Sequence, residues 1–273
     1  HTVCGVLRVL MLFVAGVVVV AILLGKSPMT LFAGLGATSA VLMLVFKDTI
    51  LGLAAGVRLT SNDMLHKGDW ITVKSVDANG IVEDMSLTTV KVRNFDNTIV
   101  TISPATLVNG SFQNWIGMQK SGGRRVKRIV YFDFRSIRLV DETLKHTLLA
   151  KHFATEDSFK LKESLQKAIE KDIEAGKDIE DLKNPAALAP TNLQLYRRFM
   201  EKYLRQRPEV NTELTLMVRH MEATQCGLPI EFYFFIKDKV WVNYEHILAD
   251  IMEHAYALAN EFGLKIYEQY PEQ

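Results

Sequence analysis

Cysteine is almost absent from this chain. Cys4 sits in an apolar run and Cys226 beside Gly227 far downstream, with no CxxC spacing and no clustered histidines, so neither a zinc centre nor a disulfide framework has support. Buried free thiols are the expectation. Catalytic signatures are missing as well: there is no HExxH, GxSxG or Walker A pattern. Gly34-Leu35-Gly36 is followed by Ser39 where a dinucleotide fingerprint needs glycine or alanine, and it lies in an apolar stretch rather than after a strand. His246 and His254 are eight positions apart with Glu253 adjacent, but no further ligands converge on them, so they read as ordinary helix histidines. No carboxylate pair stands out as acid and base. An enzyme is therefore not expected, nor a metal, nor a cofactor. The net charge of +1 excludes a bulk nucleic-acid binder, yet it averages two unlike halves. Charge is scarce in the first sixty residues and dominant from Asp141 onward.

What fills the first sixty positions is apolar. Val6 to Gly25 is long enough to cross a hydrocarbon core of roughly 30 Å as a helix, with Arg8 near one end where it can snorkel. After Lys26, Ser27 and Pro28 a second apolar segment begins, which argues for a membrane hairpin rather than a signal peptide. This segment, Met29 to Val57, would measure about 43 Å as one helix, so it must tilt or break. Lys47 and Asp48 point to a break: two charges are costly in mid-bilayer and cheap at the interface. Thr49 to Leu59 would then lie along the membrane surface. Arg8, Lys47, Arg58 and Lys67 share one side, with Lys26 on the other, which puts the C-terminal bulk in the cytoplasm. The chain opens on His1 in mid-pattern, so further segments upstream are expected.

Small residues crowd the second segment: Ala33, Gly34, Gly36, Ala37, Ser39 and Ala40. Two readings stand. They let this helix pack closely on the first, or they line a pore built from several copies. Ala33, Ala37, Ala40 and Leu44 fall on one face at helical spacing, and a ring of Leu44 side chains would gate by dewetting. Lys47 and Asp48 would form the hinge, with Gly34, Gly36, Gly52 and Gly56 serving close helix packing.

Downstream, Asp69 to Val73, Ile81-Val82, Thr88 to Val92 and Thr98 to Ile102 read as short strands, with Asn79-Gly80 and Asp96-Asn97 as turns. An RNA-binding surface is disfavoured because no stacked aromatics accompany basic residues.

The run GLGATSAVLMLVF, the charged break, ILGLAAGV, and the stretch HKGDWITV to FQNW together resemble the MscS family of mechanosensitive channels over Gly34 to Trp115. The resemblance implies a heptamer in the bacterial inner membrane, in contact with lipids and permeating ions, opening a weakly selective pore under tension during hypo-osmotic shock. It also implies two leucine rings in the constriction. Here Ala40 and Leu44 stand in those places, Asp48 stands at the family's kink glycine, and Met43 replaces a small packing residue.

Beyond Trp115, GGRRVKRIVYFDF (Gly122 to Phe134) joins a glycine pair to a basic cluster that reads best as a solvated strand edge, with phosphate binding as the other reading. Strands near Val126–Phe134, Glu213–Met221, Ile230–Lys237 and Leu264–Tyr267, with helices near Asp141–His152 and Asn243–Phe262, spell βαββαβ if Thr155–Pro208 is an insertion. Within that insertion a charged helix around Glu163, Lys167 and Lys171 is expected to be solvated. Asn184-Pro185 and Ala189-Pro190 act as breakers, and Thr191 can cap a helix carrying Tyr196, Phe199, Met200 and Tyr203, facing either the core or a neighbouring subunit.

The expected fold class is a membrane α-helical hairpin with a kinked pore-lining helix, a small Sm-like β domain and an α+β (ferredoxin-like) cytoplasmic domain. The expected domains are 1–27, 28–62, 63–116 and 117–273, with the insertion at about 155–208. A membrane-anchored oligomeric osmosensor or scaffold is the alternative. A transporter would need internal repeats or mid-bilayer polar residues, and neither is apparent.

Overall fold

The computed structural model describes residues 2–160, 163–175 and 189–269. The chain divides into two compact units, His1–Ile116 and Gly117–Gln273.

The first unit opens with α1 (Thr2–Leu23) and α2 (Pro28–Ser61). The turn between them is specified locally. Gly25 takes φ 62°, Ser27 caps α2 by accepting from Thr30 N at 3.3 Å, and Pro28 occupies the first turn, where its missing N–H costs nothing. The two helices meet only near this turn, where Ala21 is fully buried and Val17, Val18, Leu31 and Phe32 are partly covered.

The break expected at Lys47 and Asp48 is not there: α2 is helical without interruption from Pro28 to Ser61. Neither residue is a helix breaker, both side chains are exposed, and no proline follows, so nothing opposes continued backbone bonding. Ala55, Gly56 and Leu59 are buried, and Leu59 joins the core of the β domain.

That domain is a five-stranded antiparallel sheet in the order β4-β3-β2-β1-β5. Its strands are β1 (Trp70–Val73), β2 (Ala78–Met85), β3 (Val90–Asn94), β4 (Ile99–Ile102) and β5 (Gln113–Asn114), with α3 (Pro104–Asn109) before β5. Alternation puts Ile71, Val73, Ala78, Val82, Val90 and Val92 inside, together with Leu65, Ile102 and Leu107. Asn97 turns as expected, at φ 68°. Asn79-Gly80 does not turn. The chain reverses earlier, at Lys74–Val76 with Asp77 at φ 51°, and Gly80 lies inside β2, where a Cβ would stand 1.9 Å from Arg93 O. Glycine is there for close approach of two strands, not for a turn.

Gly56 has the same character. A Cβ on it would lie 2.1 Å from the carbonyl oxygen of Leu87, in the β2–β3 loop. The end of α2 is thus pressed onto the β domain backbone to backbone, and Leu59 is sealed in the core one turn later.

After α4 (Ile116–Lys120) the second unit forms a three-stranded antiparallel sheet, β6-β8-β7, from β6 (Arg124–Phe132), β7 (Met217–His220) and β8 (Leu228–Ile236). Its helices are α5 (Glu142–Ala150), α6 (Glu156–Phe159), α7 (Glu163–Glu174), α8 (Asn192–Gln206) and α9 (Trp241–Glu261). Two features depart from the expected βαββαβ arrangement. The last strand is reduced to one bridge, Phe132 to Ile266, beside β6. And the supposed insertion is in part core.

Thr191 does cap α8, accepting from Gln194 N at 3.1 Å, but Tyr196, Met200 and Leu204 are fully buried. Tyr196 packs on Phe132 and Phe262 and donates to Ala255 O at 2.6 Å, tying α8 to α9. Asn192, also fully buried, donates to Ser136 O and Phe262 O and accepts from Arg138 N and Leu193 N. A buried amide so satisfied fixes the helix in register. α7 is largely exposed over Lys167–Ala175, and Asn184-Pro185 lies outside the described residues. Arg125, Lys127 and Arg128 are exposed along β6, the edge of the three-stranded sheet. Cys226 is exposed, contrary to expectation, because it sits in the β7–β8 turn beside Gly227 at φ 91°. Cys4's side chain lies outside the described set.

Two predictions follow from this packing. Gly56→Val forces a side chain into backbone that cannot yield, and should destabilise the first unit by about 1–3 kcal/mol or more, read as a lower urea midpoint of the detergent-solubilised chain. The second concerns Glu231, a fully buried carboxylate on β8. It accepts from Arg219 Nε at 2.5 Å, with Lys127 Nζ 3.5 Å away, and the Arg219 bond outweighs burial and holds its pKa below the usual range. A depressed folded-state pKa gives stability that is present above the unfolded value, about 4.3, and is lost as pH falls through the folded one. Protection of β6 and β8 amides from hydrogen exchange should therefore weaken below about pH 4, and Glu231→Gln should flatten that acid dependence.

Candidate pore helix

From Ala33 to Leu51 every residue of α2 is exposed, on all sides. Leu44 is 73% exposed, and Val41, Met43, Val45 and Phe46 are comparably bare. The span from Pro28 to Phe46 carries no charge and rises about 28 Å, one hydrocarbon thickness. A helix apolar on every side and covered by nothing belongs in lipid or among other helices. Among the described residues two helices, Gly5–Leu23 and Pro28–Ser61, are long and apolar enough to cross a membrane. The hydroxyl of Thr38 is satisfied within the helix, donating to Gly34 O at 2.9 Å.

The four residues of the small stripe share one face, as their spacing dictates, and none packs on α1, since the two helices meet only at the hairpin turn. Around Gly34, Gly36 and Gly52 a Cβ would meet nothing within 4 Å. Gly56 differs: its packing partner is Leu87 of its own chain, not a neighbouring helix. Sequence reading missed this contact. The one available signal was glycine late in a helix, where it costs about 1 kcal/mol against alanine and so needs a reason.

Below α2 a polar knot closes the entry to the β domain. Asp69, nearly buried, accepts from His66 N at 3.0 Å and from Asn114 Nδ2 at 2.8 Å, joining the α2–β1 connection to β5. The β domain carries one aromatic stack. Trp70 and Trp115 lie 4.6 Å apart at 17°, with Phe95 edge-on to Trp70. Their indole N–H groups donate within the domain, Trp70 to Asn79 and Trp115 to Thr72, so the stack is spent on internal structure. No group of three or more His, Cys, Asp or Glu side chains among the described residues is placed to hold a metal ion.

With this geometry in view, comparison with known proteins is informative. Residues 48–117 match the family model described as "Mechanosensitive ion channel, beta-domain". The small-conductance mechanosensitive channel MscMJ of Methanocaldococcus jannaschii is 34% identical over 84 residues, 31% of this chain and 23% of that protein. The large-conductance channel MscMJLR of the same organism is 29% identical over 141 residues, 51% of this chain and 38% of that protein. The chain thus spans between a fifth and two fifths of the length of these curated relatives. In fold it is similar to closed-state MscS of Helicobacter pylori, with a TM-score of 0.57 at 14% identity over 100% of this chain and 83% of the other. It is also similar to Arabidopsis thaliana MSL1, with a TM-score of 0.61 at 11% identity over 98% and 76%. Sequence similarity is concentrated in the β domain, whereas similarity of fold runs along the whole chain: two apolar helices, a β domain that matches the mechanosensitive-channel model, and an α+β unit are arranged in an MscS-like fold.

Proposed function

We propose that the chain is a subunit of a tension-gated channel of the MscS type, assembled as a ring of identical copies, seven by the family resemblance, in a bacterial inner membrane. One observation carries this reading. α2 is apolar and uncovered over a full bilayer thickness, yet its last two turns are built into a folded β domain. Such a helix cannot stand alone in water, and it cannot move without moving what lies below it.

In a ring the stripe of Ala33, Ala37, Ala40 and Leu44 faces the axis. Its small side chains allow close approach, and Leu44 supplies the one bulky apolar constriction, which excludes water when narrow and wets when wide. Tension favours whichever state occupies more membrane area, so tilting and separation of the α2 helices gains free energy as the bilayer is stretched. Lys47 and Asp48 set the depth at which α2 leaves the hydrocarbon, and the basic residues on that side place the β domain and α+β unit in the cytoplasm. Selectivity is slight because the bore presents no ordered charge. Lipids and permeating ions are the partners, and nucleic acid is not. Within the family, the same stretch from Gly34 to Trp115 that carries the resemblance suggests kinship with the bacterial miniconductance channels.

Patch recording on membranes holding the full protein tests this. Leu44→Ser should hydrate the constriction and lower the opening threshold; an unchanged threshold would remove Leu44 from the gate. A purified protein silent in stretched liposomes would instead favour a membrane-anchored scaffold.

A further inference from the structure

The second unit contains a pocket that the channel reading does not use. It encloses about 180 Å³ between the end of α5, α6 and one face of α8. Phe153 and Phe199, edge to face at 5.2 Å, form its apolar side. Thr155 and Ser158 supply hydroxyls, and Arg198 and Lys202, one helical turn apart on α8, supply charge.

Among the described residues neither cation has a carboxylate within ion-pair distance, and those nearby are engaged elsewhere. Glu201, between them in sequence, turns away to accept from Val218 N on β7 at 3.0 Å. Asp157 pairs with Lys160 at 2.7 Å, and Glu156 lies 4.0 Å from Lys145. Like charges four apart on a helix repel, so this arrangement is unfavourable until an anion joins it. The hydroxyls point the same way. Ser158 Oγ accepts from Thr155 N at 3.1 Å and lies 3.1 Å from Thr155 Oγ1, so one hydroxyl proton serves the pair and the other is uncommitted.

We propose that this pocket binds a tetrahedral oxyanion, either inorganic phosphate or the phosphate of a short phosphomonoester. The Arg198 guanidinium offers a planar fork for two oxygens, Lys202 a point charge, and the free hydroxyl a third donor. The volume sets the upper size. Pockets for drug-sized ligands begin at about 300 Å³, so a nucleotide is too large, whereas a phosphate carrying a few carbons fits and can rest its chain on Phe153 and Phe199. The inference rests on side chains of the second unit alone and stands whether or not the chain conducts.

Isothermal titration of the detergent-solubilised full chain, in phosphate-free buffer at constant ionic strength, tests it with two ligands: inorganic phosphate and glycerol phosphate. Saturable binding at one site per subunit is expected, weakened at least about tenfold in R198Q/K202Q. R205Q, an exposed charge on the same helix outside the pocket, should bind like the parent. Tighter binding of glycerol phosphate identifies a phosphomonoester as the ligand; equal binding identifies phosphate itself. Should R198Q/K202Q fail to fold, R198K keeps the charge without the fork and should still weaken binding. Absence of saturable binding at millimolar ligand, or equal weakening by R205Q, overturns the site.

Discussion

The contact on which this structure turns is the approach of Gly56 to the backbone of Leu87. Above it, α2 is uncovered from Ala33 to Leu51 and uncharged from Pro28 to Phe46, and below it lies an ordinary β domain with a closed core. Two such parts joined by a flexible linker could not exchange force. Joined backbone to backbone, with Leu59 buried a turn further on, they tilt together. The polar knot of His66, Asp69 and Asn114 then braces the α2–β1 connection against β5, so a displacement of the helix reaches the far edge of the sheet through bonds rather than through a loop.

A coupling of this kind also explains the division of labour along α2. Under the proposed function, the stretch between Pro28 and Phe46 needs to be apolar, slim and free of internal partners, because lipid and other copies would surround it. Between Ala54 and Ser61 it needs a fixed seat. The charged pair Lys47-Asp48 falls between these stretches, where the proposed function puts the change from hydrocarbon to water. Ala40 is the departure with the clearest consequence for the proposed pore: with a small residue where the resemblance implies a second leucine ring, Leu44 alone would narrow the bore.

Much of this was legible in the residues. The helical hairpin follows from two apolar runs joined by the short Lys26-Ser27-Pro28 turn, and the strands follow from period-two alternation. What sequence obscured has physical causes. Lys47 and Asp48 were read as a break because their cost depends on the bilayer, whereas helix continuity depends on backbone bonding that neither residue disturbs. Asn79-Gly80 looks like a turn because glycine permits both positive φ and close approach, and here the second applies. α8 looked like part of an insertion because an amphipathic helix has one pattern whether it faces its own core or a neighbour. The Asn192 bonds that seat it span 54 to 70 residues of sequence, too far for local pattern to disclose. Cys226 was expected to be buried as a hydrophobe, but its position in a tight turn overrides that preference.

The central claim is that the small face of α2 borders water while the opposite face borders lipid. It is tested most directly by single cysteines, introduced after replacement of Cys4 and Cys226, and exposed to a charged, membrane-impermeant thiol reagent during patch recording under tension. Cysteine at Ala37 or Leu44 should react and change the current, and cysteine at Leu35 or Leu42, on the far side of the helix, should not. Reaction at Leu35 and Leu42 with Ala37 and Leu44 protected would contradict the account.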